Sequence, residues 1–502
     1  MKRREFVKSS ALITLPLLLK SCDWAIEKVK YPIYLYSDAR TGHLVYESNK
    51  FTQVKAGSVE TLIVGGGIAG LAAASKLQGS DYLLCELSEE LGGTSSAHRS
   101  QDLLFCQGAH YDLSYPANYG SEVLQFLDEL NIIKYQSWND RWSFVDDHYL
   151  ITHRRKNQCY DNGEFRKDVL AESKLKNDFL DLMRTYKNEM VLPTRLISEK
   201  HRHLNSITFL DFLNQRFELT PEFLRGVDYH MKDDYGSDTA TVSALAGIHY
   251  FACRPYYDEI VELFSPPEGN NYFIKKMADR LSGDQLLKQH LVKRISETPE
   301  GFGVEIVDVP KRQVKLIKTK KVIYAGQKHA LKYIYPAGHE LFADIQVAPW
   351  MVVNVIIKNE IKNLGYWQNE MLTDDNTFLG FVDSDSQLGN SECRVLTCYY
   401  CLPPSSRQDL INAEENKSSI AEMTAENLSN YFKQDIGSLI KRVDIKVMGH
   451  AMPIPKPGYL FNDKNALSQN PNIRYAGVDN ARLPLLFEAL DTGLQAPVID
   501  KG

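Results

Sequence analysis

The sequence predicts an α/β protein: a doubly wound, nucleotide-binding domain interrupted by an inserted α+β domain. Three observations carry this. A β-branched run, Thr61 to Val64, enters a glycine turn and then an Ala/Leu-rich stretch, in TLIVGGGIAGLAAASKL. A second apolar run, DYLLCE, comes soon after and ends in an acid. At 502 residues the chain is also too long for one core, so two domains are expected.

The composition is 43% hydrophobic and 24% charged, as in ordinary globular proteins. A net charge of −6 gives no electrostatic footprint for nucleic acid, and no nucleic-acid partner is expected. Eight cysteines are scattered rather than framed for disulfides. Cys398 and Cys401 form a CxxC inside RVLTCYYCLPP, a strand-like apolar run with no clustered His or Cys. A buried strand explains them, and no metal site is expected.

The glycine turn begins about sixty residues into the chain. Before it, MKRREFVKSSALITLPLLLKSC has a basic start and a short apolar stretch, Ala11 to Leu19, too short to span a bilayer. The run Arg3-Arg4-Glu5-Phe6-Val7-Lys8 resembles a twin-arginine export signal, with Lys2 where Ser or Thr is usual. This implies the twin-arginine export machinery as a partner, a bacterial source and a periplasmic location. Leu19-Lys20-Ser21-Cys22 resembles a lipoprotein processing box, which leaves a lipid anchor at Cys22 as an open alternative to release. After this segment, 23–58 reads as a linker with two short strands, in KYPIYLYSD and GHLVYES.

Gly65, Gly67 and Gly70 form GxGxxG between strand and helix. The first permits the tight turn, the second lets backbone approach a pyrophosphate, and the third lets helix and strand pack closely. The helix start, at Ile68 and Ala69, turns unpaired N–H groups and a positive dipole end toward the phosphates. Glu86 ends the second strand, where an acid binds ribose hydroxyls. An ordinary glycine turn would not call for that acid.

Motifs further along the chain narrow the cofactor. Gly92-Gly93, with Thr94 next, resembles the glycine doublet of the FAD-dependent amine oxidase and phytoene desaturase superfamily. Gly108-Ala109-His110 resembles that superfamily's next strand, with Cys106 in the usual place of Asp. PPEGNNYFIKKMADRL (266–281) resembles its P-x-GG helix, with Asn270 departing at the second glycine. HLVKRISETPEGFGVEI (290–306) resembles its adenine-contacting strand, implying that the backbone of Val292 meets the adenine. KKVIYAGQKHALK (320–332) resembles the strand closing this half of the fold. NIRYAGVDNARLPLLFEALDTGLQAP (472–497) resembles the last FAD motif. There Gly477 ends a strand and Asp479 takes the place of an acid near the pyrophosphate or ribitol. Glu488 and Ala489 lie in a helix that opens beside the flavin's pyrimidine end.

The resemblance covers about 59–120, 260–335 and 440–500. It implies bound FAD, a Rossmann-like FAD-binding domain made of 59–120, 260–335 and 440–502, and a substrate domain made of 121–259 and 336–439. Residues 121–259 read as mostly helical, and 337–465 as strands such as WMVVNVIIKN and FLGFVDSD. The stretch 230–256 sets Asp233, Asp234, His249 and Arg254 among small and aromatic residues, and its SALAGIHYF helix is either a flavin-facing wall or simply packed.

The resemblance also implies chemistry. Lys332 falls where many amine oxidases hold a lysine near flavin N5. Ala451 and Phe487 fall at the two aromatic cage positions, so one wall is missing. His110, His249 and His450 are each either an acid–base group or a structural residue. The expected activity is FAD-dependent oxidation of a small-molecule amine by hydride transfer. Desaturation or isomerisation of an apolar molecule, and FAD binding without catalysis, stand as alternatives.

Overall fold

The computed structural model describes residues 30–47, 51–100, 103–110, 116–151, 157–254, 263–361, 366–373, 376–384, 387 and 392–497. The export signal and Cys22 lie outside them. Two eight-stranded sheets organise these residues.

The first sheet grows from the glycine motif. Strand Gly57–Val64 pairs in parallel with Tyr82–Cys85 on one side and Gln313–Tyr324 on the other. Ile473–Tyr475 continues the parallel part, and Gly301–Asp308 and His290–Thr298 extend it as an antiparallel meander. Strands buried on both faces read as continuous apolar runs, and TLIV and VIY do so here. Helix Ile68–Lys76 covers one face, crossed by helix Leu486–Gln495. A Cβ on Gly493 would strike the Ala69 carbonyl oxygen, so a glycine sets that crossing.

The second sheet is mixed, and its long strands Val347–Lys358, Cys393–Cys401 and Ile440–Pro453 form its antiparallel centre. Ile440–Pro453 therefore pairs in this sheet, although its motifs group 440–502 with the nucleotide domain. Its alternating IKRVDIKV pattern buries one face on helix Ala413–Phe432. Ile33–Tyr36 also joins this sheet, as its edge strand, parallel to Val443–Lys446. The Tyr36 hydroxyl donates to buried Asp444 at 2.7 Å, and Arg442 grips the same carboxylate at 2.6 and 2.7 Å.

Two local expectations change. The strand expected in GHLVYES is replaced at His43–Tyr46 by a tight helical turn, where Val45 joins the apolar core and the Tyr46 ring meets Tyr333 at 4.8 Å. Part of the stretch expected to be mostly helical forms strands instead. Ile133–Gln136 and Arg141–Phe144 form a hairpin with Tyr135 and Trp142 paired across it, and Asn157–Asp161 enters the second sheet. Aromatic cross-strand pairs favour the pleated surface over a helix. The SALAGIHYF segment is a packed helix, Ala244–Ala252, buried throughout, with Gly247 against the Phe209 ring. Cys398 and Cys401 are buried free thiols in a central strand.

Candidate active site

A cavity of about 790 Å³ runs from the glycine turn to the second sheet. Gly65, Gly67, Ile68, Ala69, Glu86, Gly92, Gly93 and Thr94 line its first part. Gly65 has φ +104° and Gly92 +128°, conformations that glycine adopts without a Cβ penalty. Gly92 N–H donates to Gly66 O at 3.0 Å, so the doublet is locked against the first turn. Helix Ile68–Lys76 starts at Gly67 with no side-chain cap and no acid in its first turn. Its N–H groups face the cavity as an anion site.

Glu86 is buried, and burial pushes its carboxyl upward. Its Oε2 accepts from Gly66 N–H at 2.6 Å and its Oε1 from Ser88 N–H at 2.8 Å. Each oxygen keeps a lone pair for a ribose hydroxyl. Above Gly67, a Cβ would meet only Gly92 O at 3.7 Å, which leaves the space a pyrophosphate requires. Capless helix start, acceptor acid and open glycine fit a dinucleotide such as FAD.

Thr94 ties this region to the next. Its carbonyl accepts Ala109 N–H at 2.7 Å, and a Cβ on Gly108 would strike it. Cys106, standing where an acid is usual, accepts Gly108 N–H on Sγ at 3.2 Å. His110 is buried at the cavity wall, and burial holds its imidazole down to about 3. It is neutral at physiological pH. Val292, Gly477, Asp479 and Ala489 also line the cavity. Asp479 accepts Lys328 N–H.

Two of the residues expected to bind the cofactor do not line the cavity. Gly70 packs against the Gly65 carbonyl, which a Cβ would strike. Glu488 is fully buried, and its Oε1 accepts Thr194 N–H at 2.8 Å while Oε2 lies 3.9 Å from Arg482 Nε. Burial pushes its carboxyl up to about 7.

Lys332 stands exposed at the cavity rim, its ammonium 4.7 Å over the exposed Tyr333 ring. Lys328, one turn earlier, is buried: its Nζ donates to Ala476 O and, at 3.2 Å, to Gly326 O. Burial lowers its ammonium to about 8. Phe487 is buried in the core against Tyr119, ring centroids 4.2 Å apart, whereas Ala451 lines the cavity.

The aromatic walls come from elsewhere. Tyr229, Trp350, Phe381 and Tyr399 line the cavity, and the Trp350 and Tyr399 rings are 6.1 Å apart at 69°. The Tyr399 hydroxyl donates to Gly108 O at 3.3 Å, which joins the second sheet to the nucleotide domain. Strand alternation could place Trp350 and Tyr399 on a sheet face, but not over this cavity. Another wall stacks His329 on His450, ring centroids 3.4 Å apart, with Arg407 Nη1 donating to His450 Nε2 at 2.8 Å. Burial and neighbouring cations hold them down to about 4 and about 3. His450 is therefore a neutral imidazole at neutral pH. His249 lies outside the cavity and contacts Val191 O. No group of three or more candidate metal ligands occurs among the described residues. None of their helices is long and apolar enough to cross a membrane.

A family profile described as flavin-containing amine oxidoreductase matches residues 68–372. No curated protein sequence matches significantly. Among solved structures, putrescine oxidase bound to putrescine superposes with a TM-score of 0.61 at 14% identity, over 88% of this chain and 98% of that one. Cyclohexylamine oxidase from Brevibacterium oxydans IH-35A gives 0.59 at 14%, over 88% and 97%. A protoporphyrinogen oxidase-like protein from Exiguobacterium sp. 255-15 gives 0.61 at 13%, over 88% and 98%. At these identities the likeness is one of fold.

Proposed function

Because the chain belongs to the flavin-containing amine oxidoreductase family and is an FAD-dependent oxidoreductase, we propose that its substrate is an amine, oxidised by loss of a hydride to flavin N5. Bound FAD supplies the two-electron acceptor. Gly67, the start of helix Ile68–Lys76 and Thr94 hold the pyrophosphate, and Glu86 holds the adenosine ribose. The cavity walls orient the amine: the aromatic rings of Trp350 and Tyr399 attract a cation and exclude water. The observation that carries this reading is the continuity of one cavity between the glycine turn and those rings.

The test is a visible spectrum of protein lacking residues 1–22, before and after anaerobic addition of spermidine. Flavin bands that bleach support amine oxidation. Bands that stay oxidised with every amine tried, but bleach with an apolar donor, favour desaturation or isomerisation of an apolar substrate. That second reading has its own support: Phe487 is committed to the core and Ala451 is small, so the two cage positions contribute no ring to the cavity. A protein that stays colourless with added FAD overturns both.

The proposal extends to location. Residues 1–22 direct folded, FAD-loaded protein through the twin-arginine route. Arg3→Lys/Arg4→Lys protein should remain in the cytoplasm, and export at the wild-type level would reject that route.

A further inference from the structure

Asp233 and Asp234 are neighbours near the end of helix Pro221–Tyr235, and both line the cavity together with Arg254. Only one of the two is neutralised. Arg254 forms an ion pair with Asp234 and lays its guanidinium 4.0 Å over the Tyr250 ring. Asp233 makes no hydrogen bond or ion pair among the described residues. Burial pushes its carboxyl up to about 6, against the pull of Arg254. One turn back on the same helical face, Tyr229 donates its hydroxyl to Leu379 O, so this wall is braced on the second sheet.

An unpaired carboxylate facing an aromatic cavity is costly unless a cation neutralises it. The protein's nearby guanidinium is already committed to Asp234. Trp350 and Tyr399 put aromatic rings in the lining of the same cavity, and such rings accommodate a methylene chain or an ammonium.

We propose that Asp233 holds a second, non-reacting ammonium of the substrate, so that this enzyme takes diamines or polyamines in preference to monoamines. The inference rests on the amine-oxidising reading and adds a specificity-determining residue to it. Asp233 and the ring walls lie on the inserted elements, while the dinucleotide cradle lies on the first sheet. One end of the substrate is thus held by a charge that plays no part in holding the cofactor.

The test compares 1,4-diaminobutane with n-butylamine, which lacks only the second ammonium, in wild type, Asp233→Asn and Asp233→Glu. The expected ratio of kcat/KM, diamine over monoamine, falls at least tenfold in Asp233→Asn, through KM for the diamine. Asp233→Glu keeps the charge and most of the preference, which separates charge from folding. A ratio unchanged in Asp233→Asn overturns the assignment and leaves amine oxidation standing. Binding is read separately by calorimetric titration of dithionite-reduced holoprotein, which cannot turn over. Diamine bound at least tenfold more tightly by wild type than by Asp233→Asn supports the site even if no amine bleaches the flavin. Equal binding overturns it.

Discussion

The backbone N–H of Lys328 donates to Asp479 Oδ2 at 3.0 Å. The tip after strand Gln313–Tyr324 is thereby tied to the turn after its parallel neighbour Ile473–Tyr475. The Lys328 ammonium repeats the tie on Ala476 O. Asp479→Ala should leave a buried N–H without its acceptor, at a cost of about 1–3 kcal/mol. A denaturant midpoint lowered by that amount, with weaker FAD retention, is the expected outcome. Lys332, exposed at the rim, should leave both unchanged as Lys332→Met. If it serves flavin N5 as the family resemblance implies, that variant slows flavin reduction or reoxidation, and unchanged rates make it a surface lysine.

Gly67 and Gly70 belong to one motif but answer to different constraints. Gly67→Ala places a methyl 3.7 Å from the nearest protein atom, inside the cavity. It should change the stability of FAD-free protein by less than about 1 kcal/mol, since Gly and Ala differ modestly at a helix start, and weaken FAD binding strongly. Gly70→Ala drives its methyl into the Gly65 carbonyl. Overpacking of this kind costs about 1–3 kcal/mol, so the melting temperature of the FAD-free protein should fall. Melting curves with and without FAD separate the two, and equal behaviour would refute the distinction.

Glu488 should make stability depend on pH. Its folded carboxyl is raised to about 7 from an ordinary 4.5, chiefly by burial. A raised value means that its contribution is full below about 4.5 and is lost as pH rises through about 7. Glu488→Gln, which cannot ionise, should therefore lose less stability than wild type between pH 5 and 8. Parallel melting-temperature profiles of the two proteins would contradict this.

Phe487, which the family resemblance puts at a cage position, lies in the core. Its ring is 1% exposed and packs on Tyr119 and Phe273. Phe487→Ala should cost about 3–5 kcal/mol of stability, as large core truncations do. Trp350→Leu should instead raise KM for the amine, with the melting temperature of the FAD-bound protein shifting less than in Phe487→Ala. Steady-state kinetics beside melting curves checks both.

The sequence by itself determined the nucleotide half. Glycine spacing, a strand-terminal acid and an Ala-rich helix start are local features, because turn geometry and helix-end electrostatics act within a few residues. Gly65, Gly67, Glu86, Gly92 and Gly93 line one cavity. Tertiary structure decided the rest. Strand Ile440–Pro453 chose the second sheet because its partners, Ile33–Tyr36 and Val347–Lys358, lie far away in sequence. Glu488 turned to Thr194, and Phe487 to Tyr119, across contacts of more than 290 and 360 residues that no local pattern encodes. The ring walls and the unpaired Asp233 meet at the cavity for the same reason. Side-chain period tells which face of an element a residue occupies, but only packing between distant segments decides what that face meets.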